Sequence, residues 1–162
     1  MPRLKPADVS RERAQAAIDS ALRTLEAEGS GIDALAAALR DGLGESFAAA
    51  IELIRAAQGR IIVTGMGKSG HIGTKIASTF ASTGTPALFV HPAEASHGDL
   101  GMITKHDVIL ALSWSGETAE LRNIVFYSRR FRVPLVAITA GTDSTLAKAA
   151  DVALILPHVE EA

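Results

Sequence analysis

Hydroxyl side chains cluster in the stretch Ser113–Thr118, directly after the apolar run Val108–Leu112. The apolar run predicts a buried strand, and Leu121, Ile124 and Val125 follow at helical spacing. The first N–H groups of a helix lack intrahelical partners, and the helix dipole favours negative charge there. A strand, a hydroxyl-rich turn and a helix N-terminus in this order predict a site for a phosphate monoester. The alternative is that the hydroxyls only cap the helix.

A second turn, Gly65–Gly70, matches the pattern G-x-G-x-x-G between a predicted strand and a predicted helix. A dinucleotide site would need an acidic residue at the end of the second strand, but that strand ends at Val90 without one. A nucleotide P-loop would need glycine where Ile62 stands. The remaining prediction is a turn that holds Lys68 and Ser69 near an anion. A tight turn with a solvated lysine is the alternative.

The loop from His91 to Gly101 is dense in titratable groups. His91 and His97 are six residues apart, which does not match the H-x-x-x-H spacing of helical metal ligands. A histidine beside carboxylates suits proton transfer near neutral pH. We therefore favour a functional role for His97 over that of a structural hydrogen-bond partner.

Two acids flank the start of the predicted third helix. Glu117 is placed to cap it, whereas Glu120 lies about one turn further on and can face a cleft. The tail Pro157–Glu161 follows the last predicted strand and can return further acids to the same edge of a sheet. A solvated charged tail is the alternative.

The bulk composition fits one globular domain, with 162 residues and 48% hydrophobic content. The chain has no cysteine, which favours a reducing compartment. A net charge of −2 without a basic block argues against nucleic acid as a partner. Neither a membrane-length apolar run nor the apolar core of a signal peptide is present, so we expect a soluble cytoplasmic protein.

Residues 1–58 form a predicted helical region, and residues 59–162 a predicted α/β core. The helical pattern is interrupted at Gly29–Gly31 and more firmly at Gly42–Gly44. Its alanine-rich apolar stripe is longer than one small sheet can cover. We expect part of it to pack on another subunit.

The core alternates short apolar runs with helical patterns. The predicted strands are Ile61–Val63, Ala87–Val90, Val108–Leu112, Leu135–Ile138 and Val152–Leu156, and the predicted helices are Ser69–Ser82, Ala119–Arg130 and Ser144–Ala150. Runs that are apolar on both faces predict a three-layer α/β/α sandwich around a mostly parallel sheet of about five strands. Ligands of such sheets bind at the carboxyl ends of the strands. Each polar cluster described above follows a strand, which predicts one composite site.

Four motifs together resemble a known family: G-M-G-K-S-G-H at 65–71, A-S-T-G-T-P at 81–86, His91–Met102 and S-W-S-G-E-T at 113–118. The chain resembles the sugar isomerase (SIS) domain from about Phe47 onward, and more narrowly the D-arabinose-5-phosphate isomerases of the KpsF/GutQ type. The S-x-S-G-E-T turn alone indicates an SIS domain, and the histidine loop is the more specific motif. The resemblance implies a flavodoxin-like strand order.

The resemblance also implies an activity, the interconversion of D-ribulose 5-phosphate and D-arabinose 5-phosphate for Kdo and lipopolysaccharide synthesis. A base would remove the proton beside the carbonyl to give a cis-enediol. Glu120 is our first choice for this base and Glu161 the second. His97 would open the sugar ring or shuttle a hydroxyl proton, and Lys68 would stabilise the enediolate charge.

Binding roles follow from the same resemblance. The residues expected to hold the phosphate are Ser69, Ser113, Ser115 and Thr118. Gly84 and Thr85 would line the sugar pocket. His91 is a candidate zinc ligand, with an incidental or inhibitory zinc, because the chemistry needs no cofactor. The family also implies a homo-oligomer, a dimer of dimers with sites at subunit interfaces.

The chain departs from the family pattern in two places. Trp114 stands where these enzymes more usually carry a small polar residue such as Asn. The chain ends at Ala162, where the family continues into further helices with another catalytic histidine and a paired CBS module, so we expect a truncated chain.

Two alternatives to this activity remain. One is a non-catalytic sugar-phosphate-sensing SIS module, as in regulators, although the alanine-rich, weakly basic N-terminal region argues against a DNA-binding helix-turn-helix. The other is an isomerase of another sugar phosphate.

Overall fold

A five-stranded parallel sheet with helices on both faces forms the centre of the protein. The computed structural model describes residues 10–159. The strands are β1 (Ile61–Gly65), β2 (Ala87–Phe89), β3 (Val108–Leu112), β4 (Leu135–Thr139) and β5 (Val152–Ile155). The helices are α1 (Arg11–Arg40), α2 (Leu43–Ala56), α3 (Lys68–Ser82), α4 (Pro92–Ala95), α5 (Arg122–Phe131) and α6 (Thr145–Ala149), with 3-10 turns at Asp99–Met102 and Ala119–Leu121. The predicted sandwich is confirmed.

The strand order is β2-β1-β3-β4-β5, with every neighbouring pair parallel. The chain first builds outward from β1 to β2, and then continues on the other side of β1 with β3. The order therefore reverses between β1 and β3. Ligands of open parallel sheets bind at the carboxyl edge at such a point.

Both faces of the sheet are buried because its strands are apolar at successive positions. Ile61 and Val63 pack with Ala50 of α2 and Ala77 of α3 on one face. On the other face, apolar strand residues pack against side chains of α4, α5, α6 and the 3-10 turn; these are Ile62, Ile109, Ala95, Leu121, Ile124 and Leu146. Burial on both faces is what parallel strands require.

The amino-terminal helices differ from their prediction in one respect. α1 runs without interruption through Gly29–Gly31, so the expected break there is wrong. The break at Gly42 is confirmed, because its φ of 88° lies in the left-handed region that glycine tolerates. The chain divides into two compact units, residues 1–37 with 158–162 and residues 38–157, and the second contains α2 and the whole sheet. The boundary at residue 58 stays a prediction.

A buried carboxylate ties together the segments at the amino edge of the sheet. Asp107 precedes β3, is 2% exposed, and accepts hydrogen bonds from the backbone N–H groups of Arg60 (2.7 Å) and Thr104 (2.7 Å). The Thr104 hydroxyl (3.1 Å) and the Arg60 guanidinium (3.3 Å) also donate to it. This cluster lies at the edge opposite to the predicted site, so its role is structural.

Thr64, in β1, is a buried polar side chain whose hydroxyl has no hydrogen-bond partner among the described residues. A buried hydroxyl without a partner costs about 1–3 kcal/mol of desolvation free energy. We predict that Thr64→Val raises the free energy of unfolding by about 1 kcal/mol, measured by urea denaturation, because valine keeps the branched shape. A loss of stability would show that the hydroxyl has a partner, such as a buried water.

Among residues 10–159, no helix combines the length and the apolar character needed to cross a membrane.

Candidate active site at the carboxyl edge of the sheet

Two turns leave the sheet side by side where the strand order reverses. Gly65 ends β1 and is paired in register with Leu112, which ends β3. A Cβ atom at Gly65 would lie 3.0 Å from the carbonyl oxygen of Leu112 and 3.0 Å from that of Ser69. Glycine therefore permits the start of α3 to lie against the end of β3. Lys68 and Ser69, the first residues of α3, thus adjoin the hydroxyl turn that follows β3.

The turn Ser113–Thr118 is closed by its own hydroxyl groups. The Oγ of Ser113 accepts the Gly116 N–H (3.0 Å) and lies 2.7 Å from the Thr118 Oγ1. The Oγ of Ser115 accepts the Glu117 N–H (3.2 Å). α5 begins only at Arg122, after a 3-10 turn, and its first turn has no side-chain cap. The capping alternative is therefore wrong for α5, because these hydroxyls organise the turn itself.

The loop after β4 holds this turn from the other side, a feature that the sequence did not reveal. The Trp114 carbonyl accepts the Thr139 hydroxyl (3.1 Å) and the Ala140 N–H (2.9 Å). A Cβ atom at Gly116 would collide with the Ser144 side chain, and Gly116 has a φ of 70°. Only glycine meets both demands. The polar stretch after β4 was the available signal, since it too follows a strand.

Glu117 caps α6, not α5 as predicted. Its carboxylate accepts the Thr145 N–H (2.6 Å) and the Thr145 hydroxyl (2.8 Å). The hydrogen bond from the Thr145 N–H, followed by that from the hydroxyl, lowers the pKa of Glu117 below its usual value. The Glu117 carboxylate is thus ionised at neutral pH and engaged by α6.

His97 and Glu120 extend from two segments that are anchored in the same core. Ala95 precedes the first by two residues and Leu121 follows the second directly, and both lie in one buried cluster. The Asn123 side chain also donates to the Ser96 Oγ (2.8 Å), which ties the histidine loop to α5. Both candidate side chains are exposed. The structure thus brings the His97 loop and the Glu120 turn together, and Asn123 is a positioning residue that the sequence did not reveal.

His91 has a structural contact that its sequence pattern did not specify. It caps α4, with its Nδ1 accepting the Ala93 N–H (3.3 Å), and its ring lies edge-on to Phe89. Within residues 10–159 no group of three or more His, Cys, Asp or Glu side chains is close enough to hold a metal ion. A zinc ion on His91 therefore stays a prediction.

Some predicted site residues do not join this edge. Gly84 and Thr85 precede β2, and the adjacent Pro86 carbonyl accepts the N–H of Ile61, the first residue of β1. They therefore lie at the amino edge, away from Lys68. Glu161 lies outside the described residues.

A sheet-edge site of this kind, with its two turns at the point of strand reversal, is that of a sugar isomerase fold. The SIS domain model matches residues 53–162, and the chain belongs to this family.

More particular relatives indicate the branch of the family. The chain is 54% identical over 137 residues to the arabinose 5-phosphate isomerase KdsD of Pseudomonas aeruginosa, covering 85% of this chain and 41% of the relative. A solved structure of E. coli CFT073 c3406 in complex with arabinose 5-phosphate is 37% identical, with a TM-score of 0.79, over 94% of this chain and 77% of that one. A structure from Listeria monocytogenes has 29% identity and a TM-score of 0.85 over the same shares. The chain spans about two fifths of the length of the KdsD relative.

Proposed function

We propose that this protein is an aldose–ketose isomerase that interconverts D-ribulose 5-phosphate and D-arabinose 5-phosphate. The observation that carries the proposal is the junction of the Lys68 turn and the Ser113–Thr118 turn where the strand order reverses. One turn supplies a cation and the other supplies hydroxyls, a combination suited to a phosphate and a nearby developing negative charge. The names of the relatives support the choice of sugar.

The proposed roles follow the layout of the edge. The hydroxyl turn and Ser69 hold the phosphate. Glu120 removes the proton beside the carbonyl, and the resulting cis-enediol is reprotonated on the neighbouring carbon; Glu161 is the second choice for this base. His97 moves the hydroxyl proton or opens the ring. Lys68 stabilises the enediolate through its charge.

The experiment that tests the activity is direct. The protein is mixed with D-ribulose 5-phosphate, and the appearance of D-arabinose 5-phosphate is followed by NMR. Turnover with either pentose phosphate supports the proposal. Tight binding without turnover by the full-length protein would overturn it in favour of a sugar-phosphate-sensing module. Turnover of hexulose phosphates alone would assign another isomerase activity.

Removal of one hydroxyl tests the phosphate turn. Ser113 is 3% exposed and bonds both the Gly116 N–H and the Thr118 hydroxyl, so Ser113→Ala removes two internal contacts. We predict about a tenfold or greater loss of affinity for the sugar phosphate, measured by calorimetry, since one hydrogen bond contributes about 1–2 kcal/mol. Ser82→Ala, whose hydroxyl bonds only the Thr79 carbonyl of its own helix, is the matched control. Unchanged affinity in Ser113→Ala would place the phosphate elsewhere.

The proposed chemistry needs no metal, because a carboxylate base, a histidine and a lysine suffice for enediol formation. We predict that dialysis against a chelator leaves turnover unchanged or raises it, if zinc on His91 is inhibitory. A loss of turnover that zinc restores would contradict this.

The wider setting belongs to the same proposal. We propose a cytoplasmic enzyme that serves Kdo and lipopolysaccharide synthesis as a homo-oligomer, a dimer of dimers. The position of Gly84 and Thr85 at the amino edge supports sites at subunit interfaces, because within one chain these residues are remote from Lys68. Mass measurement by light scattering tests the assembly.

A further inference from the structure

The helix α1 carries the largest exposed apolar feature outside the candidate site. It is 30 residues long, about 45 Å, and none of its residues is buried. Its large apolar side chains are exposed; among them Leu25 is 67% and Ile32 is 70% exposed. A stable helix with this much apolar surface has a partner, since most helical stability comes from packing of an apolar face.

The spacing of these residues identifies the kind of partner. The seam of α1 consists of residues that alternate four and three positions apart: Ile18, Leu22, Leu25, Gly29, Ile32, Ala36 and Leu39. A mean spacing of 3.5 residues keeps one narrow strip in line along a supercoiled helix, which is the pattern of helix-on-helix coiled-coil packing. A helix that covers a sheet would show a broader apolar face.

Charged residues bound the seam on one flank. Glu12, Asp19, Glu26 and Asp33 recur every seven residues, and the last three each follow a seam residue directly. Charges at these flanking positions border the core of a coiled coil and remain in solvent. The acids thus limit the contact to the strip itself, over three heptads.

We propose that the seam of α1 packs against the seam of α1 in a second copy of this chain. The inference rests on the proposed homo-oligomer and names the surface that forms it. Identical copies associate through self-complementary surfaces. The seam has this property, because the small residues Gly29 and Ala36 alternate with leucine and isoleucine and leave space for large side chains of a facing helix. No side chain within 4 Å occupies the space beside Gly29 in the chain itself.

Substitutions along the seam test this contact. Leu25→Asp/Ile32→Asp places two charges in the seam, and we expect it to lower the mass of the assembly by half and to weaken association at least a hundredfold by analytical ultracentrifugation. Ser20→Asp/Ser30→Asp adds the same charge to exposed positions outside the seam and should retain the mass. Circular dichroism of all samples checks that α1 remains helical. Retained mass in the seam variant, or a monomeric natural chain, would overturn the proposal.

A cross-link gives a second measurement that does not depend on disrupting the helix. The chain has no cysteine, so Gly29→Cys introduces a single thiol near the midpoint of the seam. At the midpoint, both parallel and antiparallel pairing bring the two thiols together, and oxidation should yield a covalent dimer. Ser20→Cys, outside the seam, should stay uncross-linked. Failure of Gly29→Cys to cross-link, or equal cross-linking of both variants, would overturn the proposal. Sugar-phosphate affinity measured in parallel tests the proposed activity separately.

Discussion

Glu120→Gln is expected to lower turnover of the pentose phosphate by about 10³-fold, because the amide cannot accept the proton beside the carbonyl. The affinity for the sugar phosphate should change little, since the phosphate is assigned to the hydroxyl turn after β3. Exchange of that proton with deuterium from solvent, followed by NMR, reports the first step of the reaction directly. Exchange and turnover should fall together if Glu120 is the base.

Glu52→Gln is the matched control for this variant. Glu52 lies on α2 and is exposed, with only a weak contact to Arg55 at 4.0 Å, so turnover should be unchanged. If exchange persists in Glu120→Gln, the base is Glu161, and Glu161→Gln should then lose it. Persistence in both single variants would rule out each as the sole base.

The strands and their order were predictable because the chain itself encodes them at short range. Ile61, Ile62 and Val63 are apolar at successive positions, and only a strand buried on both faces uses such a run. The prediction at Gly29–Gly31 was wrong for an energetic reason. Glycine within a helix costs about 1 kcal/mol, which a 30-residue helix tolerates, whereas Gly42 has a backbone conformation that ends the helix.

The site was predictable only as far as chain order determines it. Clusters that follow parallel strands meet at one edge, which places Lys68 beside the Ser113 turn. Contacts between distant segments had no local signal: Thr145 lies 28 residues beyond Glu117, and Asn123 lies 27 beyond Ser96. These contacts separate the two acids that the sequence left together, since α6 holds Glu117 while Glu120 stays exposed.

Chain order also bears on Gly84 and Thr85, which the family resemblance assigned to the sugar pocket. They precede a strand, and residues before a parallel strand lie at its amino edge. Connectivity alone therefore separates them from Lys68 within one chain. Their proposed role depends on a second copy, which links the assembly to the chemistry and makes the α1 seam relevant to activity.

Asp107→Asn is expected to reduce the free energy of unfolding by about 3 kcal/mol at neutral pH. The native carboxylate accepts from Thr104 and Arg60 only, through backbone and side-chain donors. An asparagine amide would direct N–H groups at some of these donors and leave buried groups unpaired. Urea denaturation at pH 7 measures the loss. Asp143→Asn is the control, because that side chain is 93% exposed and pairs only with Lys148, so stability should barely change.

The pH dependence provides an independent test of the same carboxylate. Burial raises the pKa of Asp107, but the hydrogen bonds from Thr104 and Arg60 together outweigh it, and the net pKa lies below the usual value. A depressed pKa gives stability that is complete above the unfolded-state pKa, about 4, and is lost as the pH falls through the folded-state value. The natural protein should therefore lose stability on acidification below about pH 4, and Asp107→Asn should lack that component. An equally steep acid loss in the variant would assign it to other carboxylates and deny Asp107 this role.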